Sequence, residues 1–176
     1  NKGLSPAFIG RKFKFEYATT NVDRVMTDKK CNSVVIATRH DSHADLVNKS
    51  LLNRKNIFVE KPLCINMDQL DSIENTFMKV KKSCKLEGLK SPILMVGFNR
   101  RFAPLIINLK KKLNNIKTPK SFIYNCNAGY INSDHWINDP HIGGGRLIGE
   151  AIHFVDLLRF LVGDLIIDIR VNFLKD

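Results

Sequence analysis

The sequence predicts an α/β protein: the later part of a Rossmann-like parallel sheet, then an α/β substrate domain with an open, mostly antiparallel and incomplete sheet. Three observations predict it. Residues 33–38 read SVVIAT, a β-branched run without polar alternation, as expected of a strand buried on both faces of a parallel sheet. Residues 42–53 follow with apolar side chains at helical spacing, and residues 56–59 are a second apolar run, so strand, helix and strand form one right-handed crossover unit. Beyond residues 97–101 strands are separated by long irregular connections, the texture of a second sheet-based lobe.

Taken in order, residues 5–14 predict a short helix, residues 15–18 a short strand, and residues 20–27 a helix carrying Val22, Val25 and Met26. Ser42 caps the crossover helix, whose stripe is Ala44, Leu46, Val47, Leu51 and Leu52. Asn66 caps a long helix in which Leu70, Ile73, Phe77 and Val80 recur, ending near Glu87 and Gly88. Residues 92–97 are the next strand. After Arg100 come a helix through Leu105, Ile106 and Leu109, a strand at 121–127, a Gly- and Asp-rich loop, a helix at 149–161 and a strand at 165–173. The expected domains are residues 1–98 and 99–176.

The 176 residues are 44% apolar, enough to bury a core. A formal net charge of +11 raises the question of nucleic acid, but its placement argues against it. Lys79, Lys81, Lys82 and Lys85, and again Lys110, Lys111 and Lys112, fall late in predicted helices, where cations suit the helix dipole. No nucleic-acid partner is expected. No apolar stretch is long enough to cross a bilayer, and the first ten residues lack the order of a signal peptide, so a soluble, cytoplasmic protein is expected. Cys31, Cys64, Cys84 and Cys126 have no metal-ligand spacing and read as reduced thiols.

Three patterns carry chemistry. Glu60-Lys61-Pro62 ends one buried strand and Gly97-Phe98-Asn99-Arg100-Arg101-Phe102 ends another, both where open α/β sheets place ligands. A lysine there polarises a hydroxyl or carbonyl oxygen; equally, the tripeptide reads as a surface lysine before a helix-starting proline. Asn99, Arg100 and Arg101 offer a carboxamide and two guanidiniums to a polar ligand, or form an exposed basic turn. The third pattern is Gly143-Gly144-Gly145, leading into a helix with His153. That histidine suits proton transfer at neutral pH, while a lone histidine on an apolar helix is also a common structural residue.

Together these patterns resemble the Gfo/Idh/MocA family, named for glucose-fructose oxidoreductase and inositol dehydrogenase. The ordered series begins at Tyr17-Ala18-Thr19-Thr20 and continues through VVIATRHDSHADLV (34–47), NIFVEKPL (56–63) and VGFNRRFAP (96–104) to GGGRLIGEAIHFVDLLRFLVG (143–163). The resemblance implies a Rossmann domain for NAD or NADP and a second domain that contacts substrate and mediates a homo-oligomer through its sheet. By the same resemblance, Ala37, Thr38 and His43 line the cofactor, and Glu60, Lys61 and Pro62 are the signature in which the lysine meets both nicotinamide ribose and substrate. Asn99 and Arg100 lie near the nicotinamide. Trp136 and His153 lie on the substrate side, with His153 the acid/base, and Arg101 is taken with them. The implied reaction is hydride transfer between nicotinamide and a secondary alcohol of a sugar, polyol or nucleotide sugar. The alternative is a non-catalytic sugar- or nucleotide-binding relative.

Two departures qualify the match. Many members carry an aspartate four residues before the histidine; here that position is Gly149, and Glu150, three residues before His153, is expected to take its place. No strand, glycine-rich turn and helix for the cofactor's pyrophosphate precedes the first motif, and Gly3 and Gly10 lack the fingerprint spacing. The chain is therefore expected to be a piece of a longer enzyme, binding dinucleotide weakly or not at all by itself.

Overall fold

A computed structural model describes residues 4–172; Gly3 and the last position of the strand expected at 165–173 lie outside that range. The chain divides into two compact units, Asn1–Val96 and Gly97–Asp176.

The first unit begins with helix α1 (Leu4–Lys12) and helix α2 (Val22–Thr27). Asn21 starts α2, its side-chain oxygen accepting from the Arg24 amide at 3.2 Å. Residues 15–18, expected as a strand, form none, because no neighbouring strand offers them a ladder. The crossover unit follows: strand β1 (Ser33–Ile36), helix α3 (His43–Leu52) and strand β2 (Asn56–Val59), then helix α4 (Met67–Leu86) and strand β3 (Leu94–Val96). The strands form one parallel sheet ordered β1-β2-β3, with Val34 opposite Ile57 and Ile57 opposite Leu94.

Period-two alternation sends Val34, Ile36, Ile57, Val59, Leu94 and Val96 to one face. There they meet Ala44, Val47 and Leu51 of α3 and Ile73, Val80 and Cys84 of α4, the main core of this unit. Val47, Leu51 and Val59 are completely buried. Each such side chain contributes roughly 1.5–3 kcal/mol through removal from water. The opposite face differs from expectation. Val35 is 72% exposed and Met95 41%, so β1 is buried on one face only, since α3 and α4 both lie on the other.

Capping follows the sequence at one helix and not at another. Asn66 caps α4 by accepting from the Gln69 amide at 2.9 Å. Ser42 makes no such bond to α3. Its hydroxyl donates instead to the Arg39 carbonyl at 2.8 Å and accepts from Thr38 Oγ1 at 2.6 Å, closing the 3-10 turn His40–Ser42.

The second unit holds a 3-10 turn at Asn99–Phe102, helix α5 (Pro104–Asn114), a 3-10 turn at Trp136–Asn138, a π-helical turn at Leu147–Ala151 and helix α6 (Ile152–Val162). Among the described residues it contains no strand. The strands expected at 121–127 and 165–173, and with them the antiparallel sheet, are therefore corrected. A strand persists only within a hydrogen-bonded set, and these two segments do not pair with each other. Their apolar side chains stay in solvent, Ile123 at 88% exposure and Ile167 at 97%.

Candidate functional site

The carboxyl ends of adjacent parallel strands are built first. β1 gives way to Ala37 and Thr38, both exposed, and β2 to Glu60, Lys61 and Pro62, of which Glu60 and Lys61 are half-buried and Pro62 is fully buried. The Glu60 amide donates to the Ile36 carbonyl at 2.8 Å, which sets the two strand ends side by side. The Lys61-Pro62 peptide is cis.

His43, the first residue of α3, has no exposed surface. Its ring lies between the strand ends, Nδ1 2.7 Å from the Pro62 carbonyl oxygen and Nε2 3.0 Å from that of Thr38. It thus touches the backbone of the loops that present Thr38 and Lys61. Cys64, just past this turn, has its thiol pushed up by burial, which suppresses the reactive thiolate.

The second unit holds the other expected residues. Asn99 and Arg100 are exposed on the 3-10 turn, and the Arg100 guanidinium lies 4.8 Å from the centre of the Phe154 ring, which stacks on Tyr124. Arg101 turns elsewhere. Its Nε donates to Asp156 Oδ2 at 3.0 Å, Nη2 pairs with Oδ1, and the guanidinium covers Phe160. Asp156 is 8% exposed, so the pair is mostly shielded and Arg101 is committed within its own unit.

His153 is half-buried on α6, with Phe98 edge-on to its ring at 6.3 Å. Trp136 is half-buried beside His135. The glycine triplet earns its composition twice over. A Cβ on Gly143 would come within 2.3 Å of the Ile137 backbone, and Gly144 and Gly145 have φ of 78° and 81°. The Gly143 and Gly144 amides both donate to the Asp139 carbonyl, reversing the chain into the π-helical turn. That turn carries Gly149 and Glu150, and its wider winding alters the simple α-helical spacing between Glu150 and His153. Glu150 Oε2 accepts from Arg146 Nε and Nη2 at 3.2 and 3.0 Å, while Arg146 also donates to the carbonyls of Gly129 and Ala128.

A cleft of about 380 Å³ opens beside this pair, lined by Cys126, Asn127, Gly129, Arg146, Glu150 and Phe154. A larger one, about 450 Å³, lies by Arg101, Lys110, Arg159 and Phe160. Lys110 Nζ donates there to the Leu161 carbonyl, so this lysine serves the carboxyl end of α6. Sequence reasoning missed Arg146 and Asp156. The first was visible as an i,i+4 partner of Glu150; the second lies 55 positions from Arg101 and left no local signal.

A parallel sheet with helices between its strands, and polar residues gathered at the carboxyl ends, defines the first unit as a Rossmann-like dinucleotide-binding fold. Residues 5–87 match the model of the Gfo/Idh/MocA oxidoreductase family, described as an NAD-binding Rossmann fold. It is 28% identical over 157 residues to scyllo-inositol 2-dehydrogenase (NAD(+)) of Bacillus subtilis, covering 88% of this chain and 42% of the relative. With levoglucosan dehydrogenase of Pseudarthrobacter phenanthrenivorans it shares 26% identity, over 90% of this chain and 40% of that protein. Among solved structures, levoglucosan dehydrogenase in complex with NADH and L-sorbose superposes with a TM-score of 0.70 at 26% identity, covering 91% of this chain and 42% of that one. The chain thus spans about two fifths of the length of these relatives.

Proposed function

We propose that the whole protein is an NAD(P)-dependent oxidoreductase acting on a secondary alcohol of a sugar, polyol or nucleotide sugar. The observation that carries this reading is Glu60-Lys61-Pro62 at the carboxyl end of β2, beside Thr38 at the end of β1. Ligands of open parallel sheets bind in that crevice. The residues present fit a dinucleotide: Thr38 is exposed, Lys61 is half-buried, and the backbone beneath is held by a buried imidazole. NAD(H) is favoured by the family description, and the relatives named for inositol and levoglucosan favour a polyol or sugar substrate.

Thr38 and Lys61 would hold the cofactor on its ribose side, with Asn99 and Arg100 near the nicotinamide. A bound nicotinamide supplies the hydride chemistry. Lys61 Nζ polarises the substrate oxygen, and the His153 imidazole takes or returns the alcohol proton, a contribution on the order of 10²–10⁴-fold for positioned acid–base groups. Trp136 supplies an apolar wall to the substrate. Glu150, held by Arg146, places negative charge on the segment leading to His153.

In the full-length protein, NADH and NADPH fluorescence titrations followed by assays on sugars, polyols and nucleotide sugars should give binding and turnover. Lys61→Ala and His153→Ala should each lower kcat/KM by roughly 10²-fold or more. Cofactor binding with no turnover on any substrate, indifferent to both substitutions, would instead identify a non-catalytic binder.

A further inference from the structure

Resting on the reading of the strand ends as a dinucleotide site, we infer that His43 is its positioning residue. The imidazole ties the Lys61 turn to the start of α3 through an Nδ1–H donated to the Pro62 carbonyl. Three observations carry this. His43 is wholly buried, so its ring does not face a ligand. Both ring nitrogens point at backbone carbonyls, and those carbonyls belong to the segments that present Thr38 and Lys61. A carbonyl oxygen only accepts, so the nitrogen that fastens the Lys61 turn must bear hydrogen. A ring with a single hydrogen gives it to one of these two contacts, and we place it on Nδ1, at 2.7 Å against 3.0 Å for Nε2.

The consequence concerns precision. Lys61 follows β2 by two residues and precedes the tethered Pro62 by one, so its backbone is fixed on both sides. Loss of the ring frees the downstream side. A misplacement near 1 Å at a reacting group costs on the order of 10²-fold in rate.

The test has two independent readouts in the full-length protein. Long-range proton–nitrogen spectra of histidine-labelled protein, assigned with His43→Asn, should show a proton on Nδ1 of His43; a ring protonated on Nε2 alone overturns the inference. His43→Leu should raise the NADH dissociation constant about tenfold or more and lower kcat further at saturating substrate, with His43→Gln, which retains a donor, recovering part of both. A folded His43→Leu variant with wild-type affinity and kcat overturns it. Should His43→Leu fail to fold, His43→Ala, which also removes the donor, carries the kinetic comparison, and unchanged constants there count equally against the role. Absence of dinucleotide binding by the wild type overturns the site reading together with this role; binding that is unaffected by the variants overturns the role alone.

Discussion

Glu87 shows how far one local pair reaches. Arg54 donates to both its carboxylate oxygens, at 2.7 and 2.5 Å, and Ser83 adds a third bond at 2.7 Å, so the carboxyl is pulled from the usual 4.5 to about 2. A carboxyl depressed in the folded state adds stability above its unfolded value and gives it up as pH falls through the folded one. The window here runs from about 4.5 down to about 2. Arg54 and Glu87 remain 39% and 46% exposed, so solvent screens the pair and the gain is small. Arg54→Ala should return the Glu87 midpoint toward the ordinary carboxylate range in a carbon-detected NMR titration. A midpoint that stays near 2 would show that Arg54 is not the cause. At the same scale, Lys61 and His153 stand out in the sequence because each sits in a recognisable pattern. The engagement of Arg101 by Asp156 was not, because it depends on side chains brought together by the turn before α5 and by α6.

At the scale of elements, α3 and α4 carry most of the first unit. Leu51 is wholly buried against the sheet, and Leu51→Ala should cost about 2–5 kcal/mol in a denaturant titration, the spread reflecting how far the cavity relaxes. Asn66→Ala removes a single cap and should cost about 1 kcal/mol in the same measurement. Near-equal losses would mean that the core closes around the missing side chain. Periodicity located α3, α4 and β2 because burial on one face and helix spacing are local signals. It failed for the strands expected at 15–18 and 121–127, since β-branched residues favour an extended chain while ladder partners come from elsewhere.

Across the whole molecule the charge is +11, carried in part by lysines on α4 and α5. Such a distribution attracts polyanions without reading them. Any affinity for duplex DNA should be weak, without sequence preference, and largely gone between about 50 and about 200 mM salt. A complex that survives that range, and that discriminates between sequences in a filter or anisotropy assay, would assign the basic surface a recognition role. Among the described residues no helix is long and apolar enough to cross a membrane.

What the sequence determined by itself was local: apolar runs that become β1, β2 and β3, the stripes of α3 and α4, the Asn66 cap, and the ordered motifs by which residues 5–87 resemble the Gfo/Idh/MocA family. Each is a property of residues within a few positions of one another, where backbone preference and burial pattern coincide. Only the tertiary structure decided which face of β1 is covered, that Ser42 closes the turn before α3 rather than capping it, and that Arg101 and Glu150 are engaged by Asp156 and Arg146. It also decided that His43 is buried with its ring against the Pro62 carbonyl. These are questions of which groups meet, and meeting is fixed by the path of the chain between them, which residue identity alone does not encode.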